Sequence, residues 1–541
     1  MNFRFLSLLL LLLALTGPLN LRAQKRSKDA PPPPNAPRQV ARTELPLEPG
    51  ESEVHVQTLP ADSTVVLLIG RDRPLSSKNN FAFQQYDHTL RLRNELALEV
   101  PEEFDFTRMC SEGNVVFALF SSRSKPGRLW AAAYNGHLGE VRTQQYESKL
   151  SKEVVELKAV DGRLFATVLL NDQLHVSALL LDLATGQMQY LSSIYEPLPT
   201  QLTFVADAAS RRAEYVLSQT NGRKSRLLLK RLTERGQLVS SEFVQAESER
   251  SLITAQLTPP QDTTARLLMG TYSLRNPAYA QGLFATDLRT AANAGIKPPL
   301  RFYDFLRLKH FFDYLKPRRQ ARLRERNERR AARSVPPLRW RYRLLLHELL
   351  PQPDGGYVLV AEVYYPHYRY NSYNNYMGPF NNIGNQFGSA NYGSSRVFDG
   401  YQTTHALVCG FDRAGTLLWD NTFVVENLRR YELEEAVRLQ TLPDGRLVLA
   451  YLDEEKLRYK IINRAEAAPN DHEVPLQTGV SPAADTTGAK TSAVPIEKVT
   501  STQQADILPW FGSRFVAIGY QRVRAGNGPD REVFFLNSIV F

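Results

Sequence analysis

The sequence predicts an all-β protein assembled from eight successive four-stranded antiparallel units. Three observations carry this prediction. Short apolar runs show strand periodicity, tight-turn residues separate them, and the same order returns about every 48 residues along the 541-residue chain.

The clearest unit spans residues 153–194. Residues 153–160 (EVVELKAV) alternate like a strand, and Asp161-Gly162 is a turn signal. Residues 163–170 (RLFATVLL) form a second strand, and Asn171-Asp172 turns the chain again. Residues 175–183 (HVSALLLDL) and 188–194 (MQYLSSI), divided by Thr185-Gly186, complete a meander. The order recurs in NVVFALFSS and RLWAAAYNG, in AEYVLSQT and SRLLLKRL, in ARLLMGTY and AQGLFATDL, in GYVLVAEVYY and THALVCGFDRAGTLLW, and in RLVLAYLD and KLRYKIIN. At the ends it recurs in STVVLLIGR and FAFQQYDHTLRLR, and in RFVAIGYQ and REVFFLNSIVF. The turns before the second strands fall near residues 62, 113, 162, 211, 264, 355, 445 and 512. A second signature closes the third strand: an apolar residue, Asp or Asn, a short turn, then Leu, as at Tyr86-Asp87, Tyr134-Asn135 and Phe411-Asp412. Asp and Asn suit this place because their side chains bond the nearby backbone.

One four-stranded meander cannot bury both faces. Packing such units radially buries both and leaves only short edges. In period and turn signals, residues 38–541 resemble the β-propeller superfamily. The resemblance implies eight four-stranded blades, with seven as the near alternative. The Trp-Asp blade ending, the kelch double glycine and the quinoprotein tryptophan pattern do not recur, so no subfamily follows. A row of β-sandwich domains would show a period of about 100 residues instead. The last unit lacks a fourth strand; residues 39–47 (QVARTELPL) are placed to supply it and close the ring.

Three insertions interrupt the register, one helical and two expected to be disordered. Residues 291–337 precede the sixth unit. There Phe302, Phe305, Leu306, Leu308, Phe312 and Leu315 have near-helical spacing and are expected to dock on the propeller, and RRQARLRERNERRAAR follows Pro317. Residues 365–403 are rich in Tyr, Asn and Gly and lie between the second and third strands of the sixth unit. Residues 466–506, rich in Ala, Thr, Pro and Ser, follow the third strand of the seventh.

The first 23 residues read as a secretory signal peptide. Arg4 is the positive start, and residues 6–15 form an apolar run too short for a bilayer core of about 30 Å. Residues 24–37, with four consecutive prolines, read as a disordered leader. No later stretch is long and apolar enough to span a membrane. The expected address is therefore outside the bacterial cytoplasm: periplasm, outer-membrane-associated or extracellular. The net charge of +10 suits anionic partners, while the export signal argues against nucleic acid.

The candidate binding residues come from two insertions. Tyr364, Tyr365, Tyr368, Tyr370, Tyr373 and Tyr376 have the composition of antibody binding loops, where Tyr gives rigid amphipathic area and Ser, Gly and Asn adapt their hydrogen bonds. Arg318, Arg319, Arg322 and Arg326 belong to a run suited to an anionic surface. No nucleophile elbow, phosphate loop or calcium loop occurs, and His347-Glu348 has no second His at metal-ligand spacing. No cofactor or metal is expected. Cys110 and Cys409, on the second and sixth units, are expected to be separate buried thiols. The expected function is an exported, non-enzymatic binding or scaffold protein of a bacterial cell envelope that contacts glycan or protein. The alternative is a glycan-active enzyme with carboxylates at the propeller mouth.

Overall fold

The computed structural model of the protein describes residues 36–541 apart from 72–77, 150, 173–174, 198–199, 208–211, 222–223, 247, 259–265, 290–298, 337, 372–394, 427, 467–471, 480–496 and 527. The expected signal peptide and most of the expected leader lie outside the described residues.

The described strands form eight antiparallel sheets, one for each predicted unit. The second strands explain why these sheets must stack. In Thr64–Arg71, Val65, Leu67 and Ile69 pack in one apolar cluster and Val66 and Leu68 in another. Side chains alternate across a strand, so an uninterrupted apolar run is a strand buried on both faces. The same division holds in Val115–Ser122: Val116, Ala118 and Phe120 join the first unit, and Phe117 and Leu119 join the third.

Eight such clusters occur among the described residues, and seven of them join two sheets adjacent in sequence. The eighth sheet meets the first through Trp510, Val516 and Phe534 against Val65, Leu67 and Tyr86. Eight sheets with eight closed interfaces are a ring: the chain is an eight-bladed β-propeller. Arg38–Leu45 pairs with Asp530–Val540, so the first described strand completes the last blade, as its sequence predicts.

The antiparallel order gives the ring two unlike faces. First strands run from an upper face, which holds the links between blades and the loops joining second to third strands. They run to a lower face of one-to-two and three-to-four turns. On the lower face, Asp87 Oδ1 accepts from Thr89 N at 2.8 Å and Arg91 N at 3.0 Å. Asp412 Oδ1 accepts likewise from Ala414 N at 2.9 Å and Thr416 N at 2.7 Å. Asp161 and Gly162 both have positive φ, 52° and 72°, which suits a tight turn.

Three expectations are corrected. The apolar stretch 302–315 is not a helix. Arg301–Asp304 is the fourth strand of blade 5, followed by one 3-10 turn, Phe305–Arg307. Its aromatic residues are spaced for the gap between blades 5 and 6, where Phe305, Leu308, Phe311 and Phe312 are buried. Only the arginine-rich part is helical, as α1, Pro317–Ala332, with Pro at its first position. The segment 466–506 is not wholly irregular, because His472–Pro475 pairs with Lys456–Ile462 in blade 7 and Lys498–Pro509 pairs with Arg514–Arg524 in blade 8. Cys409 is buried, but Cys110, on a channel-facing first strand, is half-buried; both are free thiols. Burial raises the Cys110 thiol to about 12, so it is not a reactive thiolate.

Candidate functional site: the upper mouth

First strands line the central channel and carry charged side chains among their apolar ones, such as Glu156 and Lys158. Arg108 of blade 2 reaches across to Glu432, in the link to blade 7, at 3.3 Å. Nearer the lower turns, Lys158 of blade 3 pairs with Glu348 of blade 6. Burial alone would lower the Lys158 pKa, but the carboxylates of Glu348 and Glu156 outweigh it and raise it. Arg430 and Arg438 hold Asp506 of blade 8 at 2.8 and 3.2 Å. Burial would raise Asp506, yet the two guanidiniums hold it below the usual carboxylate range. A bulge between Gln503 and Asp506, with Gln504 at φ 49°, re-aims the strand at this point.

Above this network lies an open cavity of about 980 Å³, walled by blades 8, 1 and 2 and by the link 428–434. The His55 ring stacks on Phe106 with centroids 3.4 Å apart, and Glu53 accepts from His55 at 2.8 Å. Tyr431 stands on the rim with 78% of its surface exposed. The link is fixed from two sides. Arg429–Arg430 pairs as a short strand with Tyr401 and Gln402 of blade 6, and Arg429 meets Asp399 at 2.6 Å. Below, Ala436 N and Val437 N both donate at 2.8 Å to Glu362, only 1% exposed, which also bonds His347 at 2.8 Å. Burial would lower the His347 pKa, but the charge of Glu435 and the bond to Glu362 outweigh it and raise it.

The predicted tyrosines stand next to this mouth. Tyr357–Asn371 and Ser395–Phe411 are long paired strands whose upper ends extend past the first strand of their blade, Arg343–Leu346. Tyr364 packs on Tyr401, Tyr401 on Phe398, and Phe398 on Tyr368. Tyr365 is exposed and donates to Gln402 at 2.9 Å, while Tyr368 and Phe398 are 46% and 42% exposed. Tyr370 is placed as a strand residue only, and Tyr373 and Tyr376 lie outside the described residues.

Helix α1 caps blades 5 and 6 on the same face. Leu323 packs inward, and Arg324 donates to the carbonyls of Leu308 and Lys309. Arg318, Arg319, Arg322 and Arg326 face solvent, and none of them is paired with a carboxylate among the described residues. The buried His405 seats this insertion: Tyr314 stacks on it at 4.1 Å, with Phe311 edge-on. Burial lowers its pKa to about 3, so the ring is neutral.

The tyrosine insertion thus adjoins the mouth through the link 428–434, and the mouth itself is not legible in the sequence. His347 and Glu348 sit beside the channel and not on a helix. Glu434 and Glu435, ordinary in sequence context, belong to the network: Glu435 meets Arg438 at 3.3 Å and Glu434 meets Arg430 at 3.7 Å. The legible signal was the charge on first strands, such as Glu156 and Lys158 within EVVELKAV. No cluster of His, Cys, Asp and Glu suited to a metal ion occurs among the described residues, and no helix there is long and apolar enough to cross a membrane.

No protein-family model matches the chain, and no curated protein matches it. Among solved structures it is similar to a polysaccharide lyase, at 8% identity and TM-score 0.38, over 80% of this chain and 89% of that one. It is similar to a prolyl endopeptidase at 9% and 0.36, over 88% and 54%. It is also similar to the Synechocystis apocarotenoid oxygenase at 9% and 0.29, over 43% and 58%. Likenesses this distant carry no argument about activity.

Proposed function

We propose that the protein is an exported, non-enzymatic binding or scaffold protein of a bacterial cell envelope, which contacts glycan or protein through its upper face. The observation that carries this reading is the aromatic hairpin of blade 6. Tyr365, Tyr368 and Phe398 expose large rings on paired strands that a rigid blade holds in place. Solvent-facing rings contribute little to the core, and rigid amphipathic rings lose little entropy on binding. The arginines of α1 give the same face a second contact, for an anionic surface. The apolar run at residues 6–15 supports export.

A glycan-active enzyme would need mouth carboxylates free to exchange protons. Glu432 and Asp506 are instead held by arginines, which favours the binding reading. The test compares wild type with the combined variant Tyr365→Ala, Tyr368→Ala and Phe398→Ala on a glycan array and in pull-downs of envelope proteins. Retention should fall at least tenfold with unchanged unfolding. Equal retention by both proteins removes this reading.

A further inference from the structure

We infer that the cavity at the upper mouth is a binding site for an uncharged oligosaccharide. This rests on the binding reading above but concerns a different set of residues from the aromatic hairpin.

Size comes first. About 980 Å³ lies at the upper end of the range for small-ligand sites, room for several sugar rings. Charge comes second. The lining carries five arginines and six carboxylates. Each of the five but Arg71 is matched locally: Arg108 with Glu432, Arg123 with Asp105, Arg430 with Asp506 and Arg429 with Asp399. Most of the arginines are thus spent on internal pairs, and an anionic ligand meets surplus carboxylate. Paired guanidiniums and carboxylates nevertheless keep spare N–H donors and lone pairs, in fixed directions. Vicinal hydroxyls, which donate and accept at once, fit such a lining.

The third observation is the rings. Phe106 stacked on His55 gives the cavity a flat wall, and Tyr431 gives its rim an exposed ring. The C–H face of a pyranose is apolar and slightly positive, so it packs on the negative face of an aromatic ring. The fourth is rigidity. The rim strand Arg429–Arg430 is tied to blade 6 and the link to buried Glu362, so little of the site must be ordered on binding.

The test is calorimetric titration of the whole exported chain with soluble neutral hexasaccharides: β-1,4-glucan, β-1,3-glucan, mannan and chitin types. Uronate and sulfated oligosaccharides of matched length are run beside them at two salt concentrations. At least one neutral class should bind with little salt dependence. Tyr431→Ala, fully on the surface, should weaken it at least tenfold, and Glu432→Gln should weaken it with the fold intact by circular dichroism. The combined hairpin variant should leave this affinity unchanged. Binding confined to anionic sugars and lost in salt overturns the inference. So does neutral binding that follows the hairpin variant and ignores Tyr431→Ala. An absence of glycan binding also overturns it, while a protein partner lost on hairpin substitution would still uphold the broader reading.

Discussion

The two faces of the ring are made from the same strands and differ in almost everything else. The lower face repeats one economical device, an Asp or Asn whose side chain bonds the next few backbone amides, at Asp87, Asn135, Asp182 and Asp412. The upper face holds helix α1, the extended hairpin of blade 6, the link 428–434 and the cavity that this link helps to wall. Local bonding shapes the lower turns, and single side chains of the preceding blade add to it, as Glu112 does for the amides of Asp161 and Gly162. The upper segments have little local preference and are held by long-range contacts, which leaves their surfaces free to vary. Substitutions below should therefore change stability and spare binding, and solvent-facing substitutions above should do the reverse.

The hardest test of that division is Glu362, which ties an upper link to the buried interior. Glu362→Ala leaves the amides of Ala436 and Val437 and the ring of His347 without their acceptor. It should cost about 3–5 kcal/mol in urea unfolding. A loss below about 1 kcal/mol would mean that the link holds itself.

Two buried histidines of blade 6 make the next test, with opposite signs. The folded-state pKa of His405 is depressed, so below about pH 6.5 only the unfolded chain takes up its proton. Stability should fall on acidification by about 1.4 kcal/mol per pH unit, or about 2 kcal/mol between pH 6.5 and 5. His405→Leu should remove this slope. His347 is raised, so its contribution is complete below about pH 6.5 and is lost as pH climbs through its folded value. His347→Gln should flatten the alkaline side only. Urea unfolding from pH 5 to 9 measures both.

Lower-face turns come next. Gly162→Val puts a branched side chain at φ 72° and should cost about 1–2 kcal/mol; Asp412→Ala should cost about 1 kcal/mol. Neither should alter ligand affinity. The smallest effect on stability is expected from Arg322→Gln with Arg326→Gln, within about 0.5 kcal/mol. The same pair should reduce adsorption to anionic vesicles at low salt, measured by co-sedimentation.

The sequence made the fold legible because blades are local. Each second strand is largely apolar on both sides, and several turns carry Asp-Gly or Asn, so eight units, with seven as the near alternative, and the closing strand were legible. The helical reading of residues 302–315 failed because aromatic spacing set by a gap between blades imitates a helix period. The mouth was less legible for a different reason. Arg108 and Glu432, or Lys158 and Glu348, lie far apart in the chain, and only the closed ring makes them partners. The tyrosine and arginine insertions announced themselves by composition, yet composition gave neither their common face nor their relation to the channel.

The closing strand has a further consequence. Gln39 pairs with Ile539, so the closing contact of the ring joins two strands far apart in sequence. Until those two strands pair, the ring is an open arc with two unsatisfied edges, and closing so long a loop is entropically slow. A stop codon before residue 530 would leave both edges bare and ready to join end to end with other truncated molecules. Pairing of these two distant strands is thereby a geometric condition for a closed ring.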